Sequence, residues 1–383
     1  MSGTVENQPS GRAPHRARRE NQQAVIDCLI SEAQLSRAEI QSQSGLSRST
    51  LSDVLQALIA EGVVEELDAA PERQGRGRPT RPLRLSGEIA RVAGVALTRA
   101  GSTILVAGLD GEVTAATRIA APEPFDLAAA TSDAATALAG LLRGADGEHG
   151  LAALAVGLPR PITATRPGRR RPPAERGEAF AEAVGVHPEW DNNSRLTALA
   201  EAQWGAGRGY RDFAYLHLDR GVGGGLILDG RLATGARGTG SEFGHLCVDP
   251  VGPRCWCGGV GCLEMYASMD AILKAARLQS SDELAEAATQ GVVPAVDDAA
   301  LRVAQAVSGI VSVVDVGRVV LGGSVAQVPG FVAAVAKQVA ATAGRHATDG
   351  VVLVRSAMGD DAPARGGVAL ALRSSHLLDG YRR

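Results

Sequence analysis

Apolar positions near the start of the chain recur at helical spacing. From residue 20 to 33, Val25, Ile26, Leu29 and Ile30 share one face and predict a helix. Ser36-Arg37-Ala38-Glu39 reads as a capping box opening a second short helix that ends near Ser44. Gly45 makes the turn, and Ser47 is the expected N-cap of a third helix. Leu51, Val54, Leu55, Leu58, Ile59 and Val63 give that helix a buried stripe. Two short helices about a glycine turn form a helix-turn-helix pattern. Val63, Val64 and Leu67 read as the first strand of a wing. It returns through Leu83 and Leu85 after the tip Arg73-Gln74-Gly75-Arg76-Gly77-Arg78-Pro79. This unit spans residues 20–86.

Beyond Ala90 the pattern changes to strand-like blocks. Residues 92–97 and 103–109 predict a hairpin, with Asp110-Gly111 turning into a strand at Val113. A helix is expected over Leu127–Leu142, a buried strand over Leu151–Leu158 and a basic loop over Arg166–Arg171. Helices over 178–184 and 194–204 precede strands over 214–218 and 224–228, and a second half starts near Asp212. Helices over 268–277, 281–288 and 299–314, a strand over 319–324, a helix over 330–344, a strand over 351–354 and a helix over 366–374 complete the chain. Two repeated halves of strands wrapped by helices make an α/β body over residues 87–383.

Composition adds limits. The 383 residues are 45% hydrophobic and 21% charged, ordinary for a globular chain of two or three domains. The net charge is −3, so any nucleic-acid affinity must come from a local patch. Residues 1–19 carry Arg12, Arg16, Arg18 and Arg19 with Pro14, and are expected to be a disordered basic arm. Arg76 and Arg78 on the wing tip suit a narrow minor groove. Ser47, Arg48, Ser49, Thr50 and Ser52, at the start of the third helix, suit phosphates and base edges of the major groove. The expected partner is a double-stranded DNA operator. One head reads only a short half-site, so an inverted repeat and a homodimer, or a dimer of dimers, are expected. The start of the chain is polar and no apolar run is long enough to span a membrane, so a cytoplasmic location is expected.

Four of the five cysteines lie between Cys247 and Cys262, and Cys28 stands alone. His245, Cys255, Cys257 and Cys262 fall in one glycine-rich segment. Thiolate and imidazole suit tetrahedral zinc, and the set leaves no open position, which indicates a structural site. Buried free cysteines or a disulfide are the alternative, although a C-x-C pair cannot easily bond to itself.

Glu242-Phe243-Gly244-His245, followed by Cys255-Trp256-Cys257-Gly258-Gly259-Val260-Gly261-Cys262-Leu263-Glu264, resembles the signature of the ROK family (repressor, open reading frame, kinase). The glycine-arginine-proline wing resembles that of ROK repressors. The resemblance implies a winged helix-turn-helix head, mainly α, followed by an actin-like ATPase (ribonuclease H-like) body in two lobes. It implies Zn2+ at His245, Cys255, Cys257 and Cys262. It also implies a sugar site at Asn192, Glu242, His245 and Glu264, where Asn193 retains hydrogen-bonding capacity. The competing reading makes Glu242 and Glu264 props for the zinc loop.

Positions that carry catalysis in ROK kinases are altered here. The first phosphate turn is Gly94-Val95-Ala96-Leu97-Thr98-Arg99-Ala100; Ala96 replaces an acid, and Arg99 is expected to fill phosphate space. The second is Asp219-Arg220-Gly221, where Asp219 would repel phosphate; Gly322-Gly323 keeps the third. The family's base, the Asp of an Asn-Asp pair, aligns with Asn193, whose amide cannot accept a proton at working pH. A shifted registration would give the base to Asp191. Pro159-Arg160 replaces a Pro-Gly loop, and the segment from Arg166 to Pro173 is shortened, its arginines suiting an anionic ligand. The expected function is a transcriptional regulator, a repressor of carbohydrate-related genes, sensing a sugar or sugar phosphate and not an enzyme. Competing readings are a sugar kinase with a DNA-binding head and a regulator without a small-molecule ligand.

Overall fold

Local signals build the head. The computed structural model describes residues 12–32, 34–68, 81–144, 150–160, 164–166, 169–170, 175–342 and 350–374. Helix α1 (Arg12–Ser31) starts well before the expected position. The arm expected to be disordered over 1–19 is therefore helical from Arg12 onward, while residues 1–11 lie outside the described residues. Arginine and alanine are good helix formers, and Pro14 falls in the first turn, where its missing N–H costs nothing. Helix α2 (Arg37–Ser44) carries both halves of its capping box: Glu39 N donates to Ser36 Oγ at 3.3 Å, and Ser36 N donates to Glu39 Oε2 at 2.7 Å. Gly45 ends it at φ 69°, and Ser47 caps helix α3 (Arg48–Ala60). Strands β1 (Val64–Glu66) and β2 (Leu83–Leu85) pair antiparallel, and Leu35 bridges to Leu83 as a third edge. The wing tip with Arg76 and Arg78 lies outside the described residues.

The body is one topology used twice. Its first sheet contains β3 (Arg91–Thr98), β4 (Gly101–Gly108), β5 (Val113–Ile119) and β6 (Leu151–Leu158). Helix α4 (Leu127–Gly144) crosses between β5 and β6. A short hairpin, β7 (Ala164–Arg166) with β8 (Arg169–Arg170), stands where a basic loop was expected. Helix α5 (Glu175–Val184), edge strand β9 (Glu189–Asn192) and helix α6 (Asn193–Trp204) follow. The second sheet contains β10 (Phe213–Leu218), β11 (Val222–Leu228), β12 (Arg231–Leu232), β13 (Arg318–Gly322) and β14 (Val352–Arg355). Between β12 and β13 lie α7 (Glu264–Ala267), α8 (Met269–Ala276), α9 (Ser281–Gln290) and α10 (Pro294–Val314); α11 (Phe331–Thr342) precedes β14. The strand orders, β5-β4-β3-β6-β9 and β12-β11-β10-β13-β14, are the same pattern. In each, a meander supplies the antiparallel strands and the later strands join in parallel.

The last helix, α12 (Ala362–Ser374), begins before the expected Gly366 and returns to the first sheet, where it packs on α6, β3 and β6. A Cβ on Gly366 would come within 1.8 Å of Leu196 O, and one on Gly94 within 2.0 Å of Ala364 O. Both contacts are backbone against backbone, which only glycine permits.

One contiguous cluster of buried side chains joins head and body. It takes Leu29 and Ile30 from α1, Leu85 from β2, Leu105 from β4, and Val368 and Leu372 from α12. Gln203 Nε2 on α6 donates to Ile30 O at 2.5 Å. The head is packed onto the body. Gly366→Ala therefore sets two effects against each other. Helix propensity favours alanine by about 1 kcal/mol, whereas overpacking at a backbone contact costs about 3 kcal/mol or more. The guanidinium midpoint is expected to fall, and head and body are expected to unfold in one transition by circular dichroism.

Candidate ligand, metal and DNA-facing sites

On the head, Leu51, Val54, Leu55 and Leu58 turn inward and leave Arg48, Ser49, Ser52, Asp53 and Gln56 exposed. Ser47 and Thr50 are committed to the helix start. Thr50 N donates to Ser47 Oγ at 3.2 Å, and the two hydroxyls lie 2.8 Å apart. The outward stripe is thus Ser49, whose hydroxyl lies 3.1 Å from that of Ser47, with Ser52, Asp53 and Gln56, and Arg48 at its end. Gln56 is an addition to the expected set, and its position seven residues after Ser49 on the same face was the available signal. Arg37, at the start of α2, is held by Glu66 of the wing at 2.5 Å.

The metal candidates converge. One ligand atom each from His245, Cys255, Cys257 and Cys262 lies within 4.8 Å of the others. Cys255 Sγ is 3.8 Å from His245 Nδ1, and Cys257 Sγ is 3.6 Å from Cys262 Sγ. Tetrahedral zinc with normal bond lengths needs roughly 3.6 Å between N and S and 3.8 Å between sulfurs. The cluster therefore fits a tetrahedral ion. Cys247 is exposed and Cys28 is buried in the head, and neither joins the cluster. Burial pushes the Cys262 thiol up to about 12, while the Gly259 N–H holds Cys257 below the ordinary thiol range. A metal would displace those protons and take their place. The loop is shaped independently of the ligands. Gly261 has φ 60°, and a Cβ there would lie 1.6 Å from Asp249 O. Arg302 Nη1 donates to Val248 O at 3.1 Å, and Tyr266 OH donates to Asp249 Oδ2 at 2.8 Å.

Around this loop stand the expected sugar positions. Glu264 opens α7; its Oε2 accepts Val222 N at 2.8 Å and its Oε1 accepts the indole N–H of Trp256. Trp256 is 71% exposed and sets its edge against His245, with centroids 4.9 Å apart. Burial raises Glu242 above the usual carboxylate range; Arg195 and His245 oppose that shift and Glu264 adds to it. Glu242, His245, Glu264 and Arg195 are therefore close enough to sense one another. Asn192 is the N-cap of α6 and accepts Ser194 N at 2.9 Å. Asn193 Nδ2 donates to Leu97 O at 2.8 Å, at the end of β3. Asp191, the alternative base, is 2% exposed and bonded at 2.5 Å to Arg195 Nε.

Arg195 is not among the residues expected from the sequence. It is 1% exposed, and its Nη1 also donates to Gly238 O at 2.6 Å and Gly240 O at 3.3 Å. Asp191 and Arg195, opposite charges spaced i and i+4, were the available signal. Among the described residues, Arg195 Nη2, Asn193 Oδ1 and Ser241 Oγ are buried without a hydrogen-bond partner. Ser241 also has φ 68°, uncommon for a residue with a side chain.

At the phosphate turns, β3 and β4 close tightly. Thr98 Oγ1 donates to Gly101 O at 2.7 Å. Arg99 is exposed, with its guanidinium 5.4 Å from the Phe125 ring centroid, so it leans over Phe125 where it was expected to fill the turn. Asp219 accepts a hydrogen bond from Ser324 Oγ, and its backbone carbonyl accepts Met269 N at 2.8 Å. Gly322 and Gly323 pack against Tyr215 OH and Leu218 O, a structural reason for glycine at both places.

Residues 100–374 match the ROK family, and residues 18–65 match winged helix-turn-helix DNA-binding domains. The DNA-binding transcriptional repressor Mlc of Escherichia coli (strain K12) is 41% identical over 108 residues, which are 28% of this chain and 27% of that protein. A solved ROK family transcriptional regulator, a homolog of the E. coli MLC protein, superposes with a TM-score of 0.74 at 22% identity, covering 95% of this chain and 98% of that one. A ROK hexokinase from Thermus thermophilus has a TM-score of 0.60 at 31% identity, covering 73% of this chain and 97% of that one. The chain spans about a quarter of the length of the curated repressor it matches, whereas its fold matches the solved regulator from end to end. With the repeated two-lobed body and the family match extending over more than half its length, this chain belongs to the ROK family.

Proposed function

We propose that this protein is a DNA-binding transcriptional repressor of carbohydrate-related genes whose kinase-like body binds a sugar or sugar phosphate without phosphorylating it. The observation that carries the proposal is the state of the expected base. Asn193 spends its amide on Leu97 O, and the neighbouring Asp191 is locked by Arg195. General-base catalysis needs a free acceptor within reach of the sugar hydroxyl. The Asn193 amide oxygen has no partner among the described residues but is not basic, and the Asp191 carboxylate is paired with Arg195. The Asp219 carboxylate, tied to Ser324 at the second phosphate turn, adds negative charge where phosphate would have to sit. Glu242, His245 and Glu264 supply polar groups that would hold a sugar ring, together with Asn192 at the start of α6.

In this reading Zn2+ is held by His245, Cys255, Cys257 and Cys262 and fixes the loop that presents His245 and Glu264. The head reads DNA through Arg48, Ser49 and Ser52 in the major groove, with Ser47 and Thr50 shaping the helix start and facing phosphate. Arg76 and Arg78 reach the minor groove from the wing tip. Two copies on an inverted repeat supply specificity, and such a target places the working protein in the cytoplasm.

Metal analysis of the purified protein is expected to give one zinc per chain, and Cys257→Ala to lose it. Gly261→Ala should also lose metal and cost more than about 3 kcal/mol, because its Cβ meets Asp249 O at 1.6 Å. Gly258→Ala, with φ 92° but open space, should cost only about 1 kcal/mol and keep the metal. Full zinc in Cys257→Ala would refute the ligand assignment.

A coupled assay with ATP and a panel of hexoses and pentoses is expected to show no turnover above a no-enzyme control. Asn193→Asp alone should not restore it, since Asp219 still occupies the phosphate turn. Turnover by the natural protein would make it a kinase.

Fluorescence anisotropy on a DNA fragment selected by the protein should show Arg48→Ala changing which bases are preferred. Arg76→Ala with Arg78→Ala should weaken binding to every sequence and flatten the log–log salt slope by roughly 2. Equal binding by a chain lacking residues 1–85 would remove the head from the account.

A further inference from the structure

Arg195 is the largest fully buried side chain among the described residues. Burial lowers its pKa to about 10, so it remains a cation at neutral pH. It stands in the first turn of α6, just beyond Asn192 and Asn193. Through Asp191 it holds the end of β9, and through Gly238 O and Gly240 O it holds the loop that leads to Ser241 and Glu242. One guanidinium thus ties the first-lobe half of the ligand site, Asn192 and Asn193, to the second-lobe half, Glu242 and His245. The tie is incomplete. Arg195 Nη2, Ser241 Oγ and Asn193 Oδ1 are buried and lack partners, and Ser241 holds a positive φ. A buried polar atom without a partner is costly, so this arrangement favours rearrangement when an oxygen-rich molecule enters.

The other end of the same helix touches the DNA-binding head. Gln203 Nε2 donates to Ile30 O near the end of α1, and Trp204 packs against the cluster shared by head and body. Between these ends, Ser194 to Glu201 are all buried. Glu201 accepts Ala206 N at 2.6 Å and the Ser356 hydroxyl, which pins the last turn. A helix packed on all sides moves as a unit, because a close-packed interior does not deform smoothly. Its span is roughly 18 Å. Helix α1 in turn packs on α3, the helix whose exposed stripe faces away from the core.

We infer that Arg195 is a positioning residue joining the two halves of the ligand site, and that α6 carries the state of that tie through Gln203 to the recognition helix. This deepens the sensor reading and rests on it for its ligand, but the mechanical link is testable without one. Replacing Arg195 by an apolar residue would strand Asp191 and risk unfolding. Arg195→Lys keeps the charge and cannot reach Asp191 and both carbonyls together.

The experiment is hydrogen exchange by mass spectrometry on the full chain, comparing Arg195→Lys, Gln203→Leu and the double variant. Unchanged unfolding midpoints and zinc content establish that each variant is folded. Arg195→Lys is expected to speed exchange in α1 and α3 by at least about fivefold, the low end of ordinary coupling between sites. In the Gln203→Leu background the same substitution should change exchange there by less than about twofold, since the link is already cut. Equal effects in both backgrounds, or a change confined to residues 233–242, would overturn the inference. A second arm titrates D-glucose, N-acetyl-D-glucosamine and their 6-phosphates by calorimetry. Gln203→Leu should bind whichever of these the natural protein binds, with the same Kd, while its head no longer responds. If the natural protein binds none of the four, the sensor reading loses support, and the exchange comparison still decides the link.

Discussion

The structure depends on the direct contact of helix α12 with helix α6 and strand β3. Gly366 lies on the backbone of Leu196, and Gly94 on the backbone of Ala364. No side chain separates these elements, so the last helix of the chain can sit inside the first lobe. From there α12 supplies Val368 and Leu372 to the cluster that also contains the head. The same contact fixes α6, whose first turn carries Asn193 and Arg195 behind its cap, Asn192. Placement of the head and geometry of the ligand site are therefore consequences of one close approach of backbones.

The candidate site draws on both lobes and is centred on the His245, Cys255, Cys257 and Cys262 cluster. Its four-ligand cluster has spacings suited to a tetrahedral ion, and the loop that bears it is propped by Arg302, Asp249 and Tyr266. Glu264 is occupied by Val222 N and Trp256, so it braces the loop. Of the two expectations for Glu264, the structure contains the prop: its two oxygens accept Val222 N and the Trp256 indole. An amide stands at the expected base position, and the nearby carboxylate is neutralised by a buried guanidinium.

Legibility in the sequence followed the range of the interactions. The capping box at Ser36 and Glu39, the turn at Gly45 and the cap at Ser47 are local, and the structure contains all three. The metal cluster was legible because its ligands lie within one short stretch, so few folds could keep them apart. The start of α1 was not, because a run of arginines reads as charge when its helix propensity decides the matter. Arg195 was hidden because a lone arginine in a helix is usually solvated. Only the fold brings Gly238 and Gly240 to it. The packing of α12 was invisible for the same reason, since glycines in a late helix read as weak helix formers until Leu196 lies against them.

The central claim is that this body reports on a sugar and does no chemistry on it. The most direct measurement places protein, its selected DNA fragment, ATP and a hexose panel in one cell. DNA anisotropy and ATP concentration are followed together as each sugar is added. The account predicts that one sugar shifts the bound fraction of DNA while ATP stays constant. Phosphorylation of a sugar with DNA binding unmoved would contradict it.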